Sequence, residues 1–135
     1  METMEISFNG NQRVASTYKG FTVRTDQPPA EGGDGSAPEP FDLFLASIGT
    51  CAGIYVLSFC RERGLDTAGL KLFLEFDRNQ KTWMVEKIRL QIVLPPGIPE
   101  KYHRAVARAA GLCTVKKHLT APPAFDIVTV NGAGE

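Results

Sequence analysis

The chain has too few histidines to suggest a histidine-based metal site. Only His103 and His118 occur among its 135 residues, and its three cysteines form no C-x-x-C pair. Structural zinc sites use four closely spaced Cys and His ligands, so we expect no metal and no other cofactor. Three cysteines are also too few for a disulfide scaffold, and Met1–Gly10 lacks the pattern of a secretory leader. We therefore predict a reduced, cytoplasmic protein.

The sequence also lacks an excess of either charge. Fifteen Lys and Arg residues balance fifteen Asp and Glu residues, and no basic stripe stands out. Proteins that bind nucleic acids usually carry clustered positive charge, so we expect no nucleic-acid partner. The chain is 43% hydrophobic and 9% aromatic, which is ordinary for a globular protein. Its length fits one domain of common size, and we predict a single domain over residues 1–135.

The most informative feature of the sequence is a long run of residues that contains no charged side chain. Residues 43–60 read LFLASIGTCAGIYVLSFC, with Pro40 before the run and Gly64 after it. This arrangement is typical of a helix of about six turns. A helix without a polar face is buried nearly all round, in lipid or in protein. The run reaches the usual length for a membrane span of about 18 residues. Its hydroxyl, cysteine and glycine residues nevertheless favour a core helix and no membrane contact.

A domain of this size can hardly cover such a helix by itself. The economical solution is a homodimer in which two such helices pack together under shared sheets. Gly49 and Gly53, four residues apart, would let two backbones approach closely, although this spacing is best known from membranes. Packing of the two glycines under side chains of the same chain explains the spacing equally well.

The remaining sequence alternates between strand and helix patterns. The predicted order begins with three strands (4–8, 13–18 and 21–25), followed by a Gly- and Pro-rich loop (26–38) and the apolar helix. Two alternating strands (70–77 and 87–94), two short helices (99–110 and 113–119) and a last strand (125–130) then follow. Lys19-Gly20 predicts a tight turn between the second and third strands. This order indicates an α+β fold with antiparallel sheets.

The three cysteines have different surroundings in the sequence. Cys51 lies in the middle of the apolar helix and Cys60 near its end. A turn of about 100° per residue places them on opposite faces, so they do not form a neighbouring redox pair. Free cysteines often only pack in a core, and Cys51 is the better candidate for reactivity of the two. Cys113 follows a helix stop and precedes two lysines, which favours its thiolate, but a buried helix cap is an alternative interpretation.

Several segments resemble the OsmC/Ohr superfamily of peroxide-related thiol proteins. The segment GGDGSAPEPFDLFLASIGTCAGIYVLSFCRERGL contains the Gly-Gly pair, the Pro and the apolar cysteine-bearing run typical of that superfamily. The stretch AVARAAGLCTVKKHL is similar to its second cysteine region, and Asp26-Gln27-Pro28 resembles a common D-x-P motif. The likeness covers nearly the whole length and includes the order of strands and helices.

The resemblance implies an intertwined homodimer in which antiparallel sheets wrap around paired, buried central helices. It also implies a thiol peroxidase of the oxidative stress response. In peroxidatic members, the cysteine that matches Cys51 becomes a sulfenic acid, and the one that matches Cys113 condenses with it to a disulfide. An external dithiol then reduces this disulfide. An arginine from the N-terminal strands stabilises the thiolate. Arg13 and Arg24 are both candidates, and Arg13 is preferred because it begins a predicted strand.

The chain departs from the family pattern about ten residues before the first cysteine. The family glutamate that holds the arginine is replaced here by Phe41. Asp42 and Glu39 are possible supporting acids, although neither matches by register. A guanidinium held more loosely by about 1 Å can cost about 100-fold in rate. The sequence therefore looks more like the less-characterised OsmC-like branch than like the dedicated organic hydroperoxide reductases.

Three functional hypotheses follow from these residues. The first is reduction of hydroperoxides, with organic ones favoured by the apolar residues Phe41, Phe44 and Ile48 around the thiol. The second is a non-catalytic, stress-related protein that binds a small ligand and whose cysteines only pack. The third is a hotdog-type acyl-thioester hydrolase with Asp42 or Glu39 as the acid, which the two cysteines and the three early strands disfavour.

Overall fold

The structure is a computed structural model and describes residues 1–132. Its strands are β1 (Glu5–Phe8), β2 (Val14–Tyr18), β3 (Phe21–Thr25), β4 (Lys71–Arg78) and β5 (Val85–Val93), and its helices are α1 (Pro40–Glu62), α2 (His103–Gly111) and α3 (Thr114–Thr120). Short 3-10 turns lie at Pro29–Glu31 and Glu100–Tyr102. Strands β1 to β3 form one antiparallel sheet, and β4 and β5 pair with each other. The predicted α+β class is confirmed.

The hairpin between β2 and β3 follows from its two turn residues. Tyr18 pairs with Phe21, and the intervening Lys19 and Gly20 both have positive φ, 52° and 80°. Two successive residues with positive φ define a turn whose twist matches that of the flanking strands. The predicted turn at Lys19-Gly20 is therefore confirmed, and it fixes the register of β2 against β3.

Helix α1 continues beyond the charge-free run at both ends. It begins at Pro40 and ends at Glu62, and Gly64 follows with a φ of 64°, a backbone geometry that commonly ends helices. One stripe of the helix is buried: Leu45, Ile48, Ala52, Val56 and Cys60. The apolar residues Phe41, Phe44 and Ile54 are exposed instead. The burial on nearly all sides that we expected from the sequence is therefore not reached within this single chain.

Helix α1 also meets the length and hydropathy criteria for a membrane span. Its mean hydropathy is 1.9, and 28% of its most apolar window is buried inside the chain. It is the one helix among residues 1–132 with this property. Core helices of soluble proteins meet the same criteria, so the property by itself is weak evidence for a membrane.

The chain divides into two compact units, each made of two separate segments. The first comprises Met1–Thr50 and Leu72–Gln91, and the second comprises Cys51–Lys71 and the chain from Ile92 onwards. The buried residues of the first unit are Ala15, Asp26, Leu45 and Ile48. Those of the second are Ala52, Val56, Cys60, Pro95, Ile98, Val106, Ala110 and Cys113. Because each unit draws on part of α1, the single-domain organisation remains a prediction.

The strand predicted at residues 125–130 is not formed in the described chain. Its apolar residues are strongly exposed, with values of 84% for Phe125, 89% for Ile127 and 87% for Val130. A strand needs a neighbouring strand to complete its backbone ladder, and no strand within residues 1–132 pairs with this segment. The prediction was wrong for the single chain because a strand-like pattern does not specify a partner.

Candidate functional site

Two cysteines on α1 differ in their access to solvent. Cys51 is half-buried, whereas Cys60 is fully buried, with a relative exposure of 0%. Burial raises the pKa of the Cys60 thiol, although the nearby Arg63 guanidinium acts in the opposite direction. A thiol with a raised pKa stays protonated and is a poor nucleophile. Cys60 is therefore a core residue, and Cys51 is the cysteine of this helix that a small reagent can reach.

The third cysteine is buried at the start of a helix. Cys113 is 1% exposed and is the N-cap residue of α3, where its Sγ accepts a hydrogen bond of 3.3 Å from the backbone N–H of Lys116. A side chain that accepts this bond satisfies one of the free N–H groups of the first turn. The structure thus shows the buried helix cap that the sequence left open as an alternative. All three cysteines are free thiols.

A hydrogen bond connects the segments that carry Cys51 and Cys113. The hydroxyl of Tyr55 lies 2.9 Å from the hydroxyl of Thr114. Tyr55 is one helical turn after Cys51, and Thr114 directly follows Cys113. The second unit therefore brings the two cysteine-bearing segments together, although they are far apart in the sequence. We did not single out Tyr55 or Thr114 from the sequence, because a contact between distant hydroxyls leaves no local pattern.

An open, largely apolar groove runs along α1 in the same unit. Its volume is about 380 Å³, and it is lined by Ile54, Tyr55, Ser58, Phe59, Glu62, Arg63, Ala109 and Leu112. The Arg63 guanidinium lies 3.7 Å from the centre of the Phe59 ring and donates a hydrogen bond to the Phe59 carbonyl. Sites for small molecules commonly have volumes of about 300 to 1,000 Å³ and mostly apolar walls. The groove has the size and lining for a small organic molecule.

Arg13, the arginine preferred from the sequence, is held by Asp34, which was not among the predicted supporting acids. Nη1 of Arg13 lies 2.5 Å from Oδ2 of Asp34. The acids proposed from the sequence, Glu39 and Asp42, form no ion pair with Arg13 in the described chain. Asp34 belongs to the Gly-rich loop and is 21 residues from Arg13. The ion pair forms because this loop folds back towards the start of β2.

Both candidate arginines line one small cavity in the first unit. Its volume is about 170 Å³, and its lining residues are Asn9, Arg13, Val14, Ala15, Arg24, Thr25, Ser36 and Ala37. Arg24 lies on β3 opposite Ala15 of β2. The Arg13 guanidinium is already paired with Asp34, whereas Arg24 forms no ion pair among the described residues. The preferred Arg13 and the alternative Arg24 therefore line the same cavity.

The loop that carries Asp34 is fixed by the buried carboxylate of Asp26. This carboxylate accepts hydrogen bonds from the Ser36 hydroxyl (2.5 Å), the Ser36 N–H (3.0 Å) and the Gln27 N–H (2.8 Å). These bonds, led by the one from the Ser36 hydroxyl, lower the pKa of Asp26 to about 2, because they stabilise its charged form. The D-x-P motif therefore has a structural role in closing the loop.

Phe41, which replaces the expected glutamate, contacts a different arginine. Its ring centre lies 5.3 Å from that of Phe44 and 5.1 Å from the guanidinium carbon of Arg78. Arg78 also faces the rings of Phe76 and Trp83. An arginine over aromatic faces is held by its attraction to the π-systems. The Phe41 ring at the start of α1 thus contributes to holding the Arg78 cation.

The neighbouring acid Glu39 has an unfavourable environment for a charge. Burial raises the pKa of Glu39, and the nearby carboxylates of Glu31 and Asp42 raise it further, while Arg78 lowers it. These surroundings disfavour the charged form of Glu39 relative to an ordinary glutamate. Among the described residues, no group of His, Cys, Asp and Glu side chains could hold a metal ion.

Comparisons with known proteins identify the fold. A family model described as OsmC-like protein matches residues 33–128. Similar solved structures include a Psychrobacter arcticus protein named for osmotic stress induction and a detoxification response, with 22% identity, a TM-score of 0.74 and 87% of each chain covered. An OsmC-like protein from Mycoplasma pneumoniae has 11% identity and a TM-score of 0.71, with 90% of this chain and 89% of that chain covered.

A third similar structure is that of an organic hydroperoxide resistance protein OsmC, also named a predicted redox protein, from Legionella pneumophila. It has 17% identity and a TM-score of 0.53, and the match covers 88% of this chain and 90% of that chain. At these identities the structural likeness shows the fold alone. No curated protein sequence matches significantly.

Proposed function

Because this chain belongs to the OsmC-like protein family, we propose that it is a thiol-dependent reductase of hydroperoxides that acts in the response to stress. The main support is the hydrogen bond between Tyr55 and Thr114, which joins the segments of Cys51 and Cys113. The names of the Psychrobacter and Legionella proteins, which refer to detoxification and hydroperoxide resistance, are consistent with this role.

The proposed reaction uses two cysteines in sequence. The Cys51 thiolate attacks one peroxide oxygen, the O–O bond breaks, and the alcohol leaves after it takes up a proton. Cys51 is then a sulfenic acid. The Cys113 sulfur attacks the Cys51 sulfur, the S–O bond breaks, and water leaves as the disulfide forms. An external dithiol reduces the disulfide and restores both thiols.

We retain Arg13 as the supporting arginine that the family resemblance predicts, and within its own unit Asp34 holds its guanidinium. A positive group near a thiolate stabilises the nucleophilic form, and a carboxylate that pairs with the guanidinium limits its movement. We therefore propose Asp34 for the supporting role that the sequence predicted for Glu39 or Asp42. Arg24 on the same cavity adds positive charge there.

The apolar groove along α1 supports an organic substrate. Its walls include Ile54, Phe59 and Leu112, which favour an alkyl or aryl group over water. Hydrogen peroxide has no such group and gains nothing from this surface. We therefore propose organic hydroperoxides as the preferred substrates.

We further propose that the protein is a cytoplasmic homodimer. Phe41 and Ile54 on α1 are 40% and 53% exposed, and the segment at residues 125–130 exposes its apolar side chains. Apolar surface of this extent on a soluble chain commonly marks a contact with another protein. A second copy that covers α1 would also complete the burial expected of a charge-free helix.

Gly53 provides a direct test of this dimer. A methyl group added at Gly53 meets no atom within 4 Å in the described chain, so in a monomer Gly53→Ala would stabilise the helix by up to about 1 kcal/mol. If the α1 helices pack together at Gly53, the same methyl crowds the partner. We expect Gly53→Ala to raise the dimer dissociation constant by roughly tenfold, as measured by analytical ultracentrifugation. Higher thermal stability with an unchanged dimer would contradict helix pairing at this position.

The proposed function predicts a specific disulfide. We expect one equivalent of cumene hydroperoxide to convert the reduced protein to a form that lacks two hydrogens, as detected by intact mass. Peptide mapping should locate the bond between Cys51 and Cys113. The Cys113→Ala variant should instead accumulate a sulfenic acid at Cys51 that a dimedone probe can trap, whereas Cys60→Ala should still form the disulfide.

The second hypothesis, a non-catalytic binding protein, has two observations in its favour. Phe41 contacts Phe44 and Arg78 in place of a carboxylate that would hold Arg13, and Cys113 already has a structural role as a helix cap. If peroxide leaves the mass of the protein unchanged and an apolar ligand binds in the groove, this hypothesis replaces the first.

A further inference from the structure

We propose that Tyr55 is a positioning residue for Cys113. Its hydrogen bond to Thr114 holds the Cys113 segment beside the helix that carries Cys51, and it thereby sets the rate at which the disulfide closes. This inference rests on the peroxidase function proposed above. It assigns to Tyr55 a role in the second chemical step only, after Cys51 has reacted with the peroxide.

The geometry places Tyr55 between the two cysteine segments. Residues four apart on a helix lie on the same face, so Tyr55 shares a face of α1 with Cys51. The Tyr55 and Thr114 hydroxyls are 2.9 Å apart and belong to residues separated by 59 positions. Thr114 is the first residue of α3, directly after Cys113. One side-chain contact therefore joins the start of α3 to the reactive helix.

Helix α3 has few other contacts that would fix its position. It is seven residues long, none of its residues is buried, and Leu119 is 45% exposed. Segments with few buried contacts open locally at a low cost in free energy. Cys113 is buried directly before this helix, and Tyr55–Thr114 is the side-chain hydrogen bond between α3 and α1 among the described residues.

The rate of disulfide formation depends on where the Cys113 sulfur is held. Cys113 must bring its sulfur to the sulfenic sulfur of Cys51, so that an S–S bond forms while the S–O bond breaks and water leaves. The rate of such an intramolecular step depends on how well the two groups are held in orientation. The Tyr55 hydroxyl does not exchange atoms in this step, and its effect passes through the position of Cys113.

The Tyr55→Phe variant removes this hydroxyl and keeps the ring. Tyr102→Phe is a matched control, because the Tyr102 ring packs edge-on against Phe59 and its hydroxyl has no hydrogen bond among the described side chains. Each protein is mixed with one equivalent of cumene hydroperoxide, quenched at intervals and analysed by mass spectrometry. For Tyr55→Phe we expect sulfenic acid to form at the parent rate and the disulfide to close about fivefold more slowly. Closure at the parent rate or faster would overturn the proposal.

A second measurement tests the same contact without peroxide. Reduced parent and Tyr55→Phe proteins are alkylated with iodoacetamide, and the labelling of Cys113 and Cys60 is followed in separate peptides. We expect Cys113 to label about fivefold faster in the variant, while Cys60, which is buried in the same unit, labels at the parent rate. Equal acceleration of both cysteines would show general loosening and overturn the positioning role.

These two measurements separate the inference from the proposed function. If the parent protein forms no disulfide with peroxide while Tyr55→Phe exposes Cys113 to alkylation, the peroxidase function fails and the holding contact remains. If the parent forms the disulfide but Tyr55→Phe changes neither closure nor alkylation, the positioning role fails and the peroxidase function remains.

Discussion

Replacing Cys51 with alanine is expected to lower the rate of hydroperoxide reduction by roughly a thousandfold or more, which is typical of the loss of a catalytic nucleophile. The reason is that the proposed reaction begins with attack by this sulfur, and Cys60, the other cysteine of α1, is buried with a raised pKa. The measurement is consumption of cumene hydroperoxide with a dithiol reductant, at equal concentrations of folded protein.

Cys60→Ala is the matched control for this variant, since both substitutions remove one thiol from α1. We expect it to reduce peroxide at close to the parent rate and to lose about 1 kcal/mol of unfolding free energy through its smaller buried side chain. A Cys51→Ala protein that turns over as fast as Cys60→Ala would rule out Cys51 as the nucleophile.

The second large effect is a loss of stability on substitution of Gly33, which lies in the loop that carries Asp34. A Cβ added at Gly33 would lie 1.9 Å from the carbonyl oxygen of Gln27, which is far inside contact distance, so the backbone of the loop must move. We expect Gly33→Ala to lower the unfolding free energy by about 3 kcal/mol, at the upper end of the usual cost of overpacking. The corresponding fall in melting temperature is roughly 10 °C.

Gly132→Ala is the control for this effect, because its added methyl group meets nothing within 4 Å. The Gly33 variant should also lose hydroperoxide reductase activity beyond its loss of folded protein, since a displaced loop separates Asp34 from Arg13. Denaturant unfolding and the peroxide assay together test both expectations. A Gly33→Ala protein as stable as Gly132→Ala would show that the loop accommodates a side chain.

Most of the regular elements were predictable because local signals in the sequence mark them, namely alternation for strands and a charge-free run between Pro and Gly for the central helix. The strand at Phe21–Thr25 has the predicted bounds, and the central helix differs by only a few residues at each end. The helix continues through Asp42 and Arg61 because an acid in the first turn and a base in the last turn are favourable there. Because the helix was predicted from its charge-free run, these charged residues at its two ends fell outside the predicted bounds.

The partners of the candidate site residues were less predictable. Asp34 and Arg13 meet because the loop from Asp26 folds back on itself, and such a return leaves no spacing pattern in the sequence. The contact between Tyr55 and Thr114 has the same origin. In contrast, the position of Cys113 at a helix start could be predicted from the helix stop before it, and its burial was one of the two interpretations considered.

The aromatic rings that face Arg78 are those of Phe41, Phe76 and Trp83, and they have a consequence for fluorescence. Trp83 is the single tryptophan of the chain; it is 65% exposed, has a φ of 62° and lies 5.1 Å from the Arg78 guanidinium. Its fluorescence therefore reports on the turn between β4 and β5 in the first unit, whereas Cys51 and Cys113 belong to the second. A change in tryptophan emission on adding peroxide would be a signal that oxidation of the thiols reaches a separate part of the molecule.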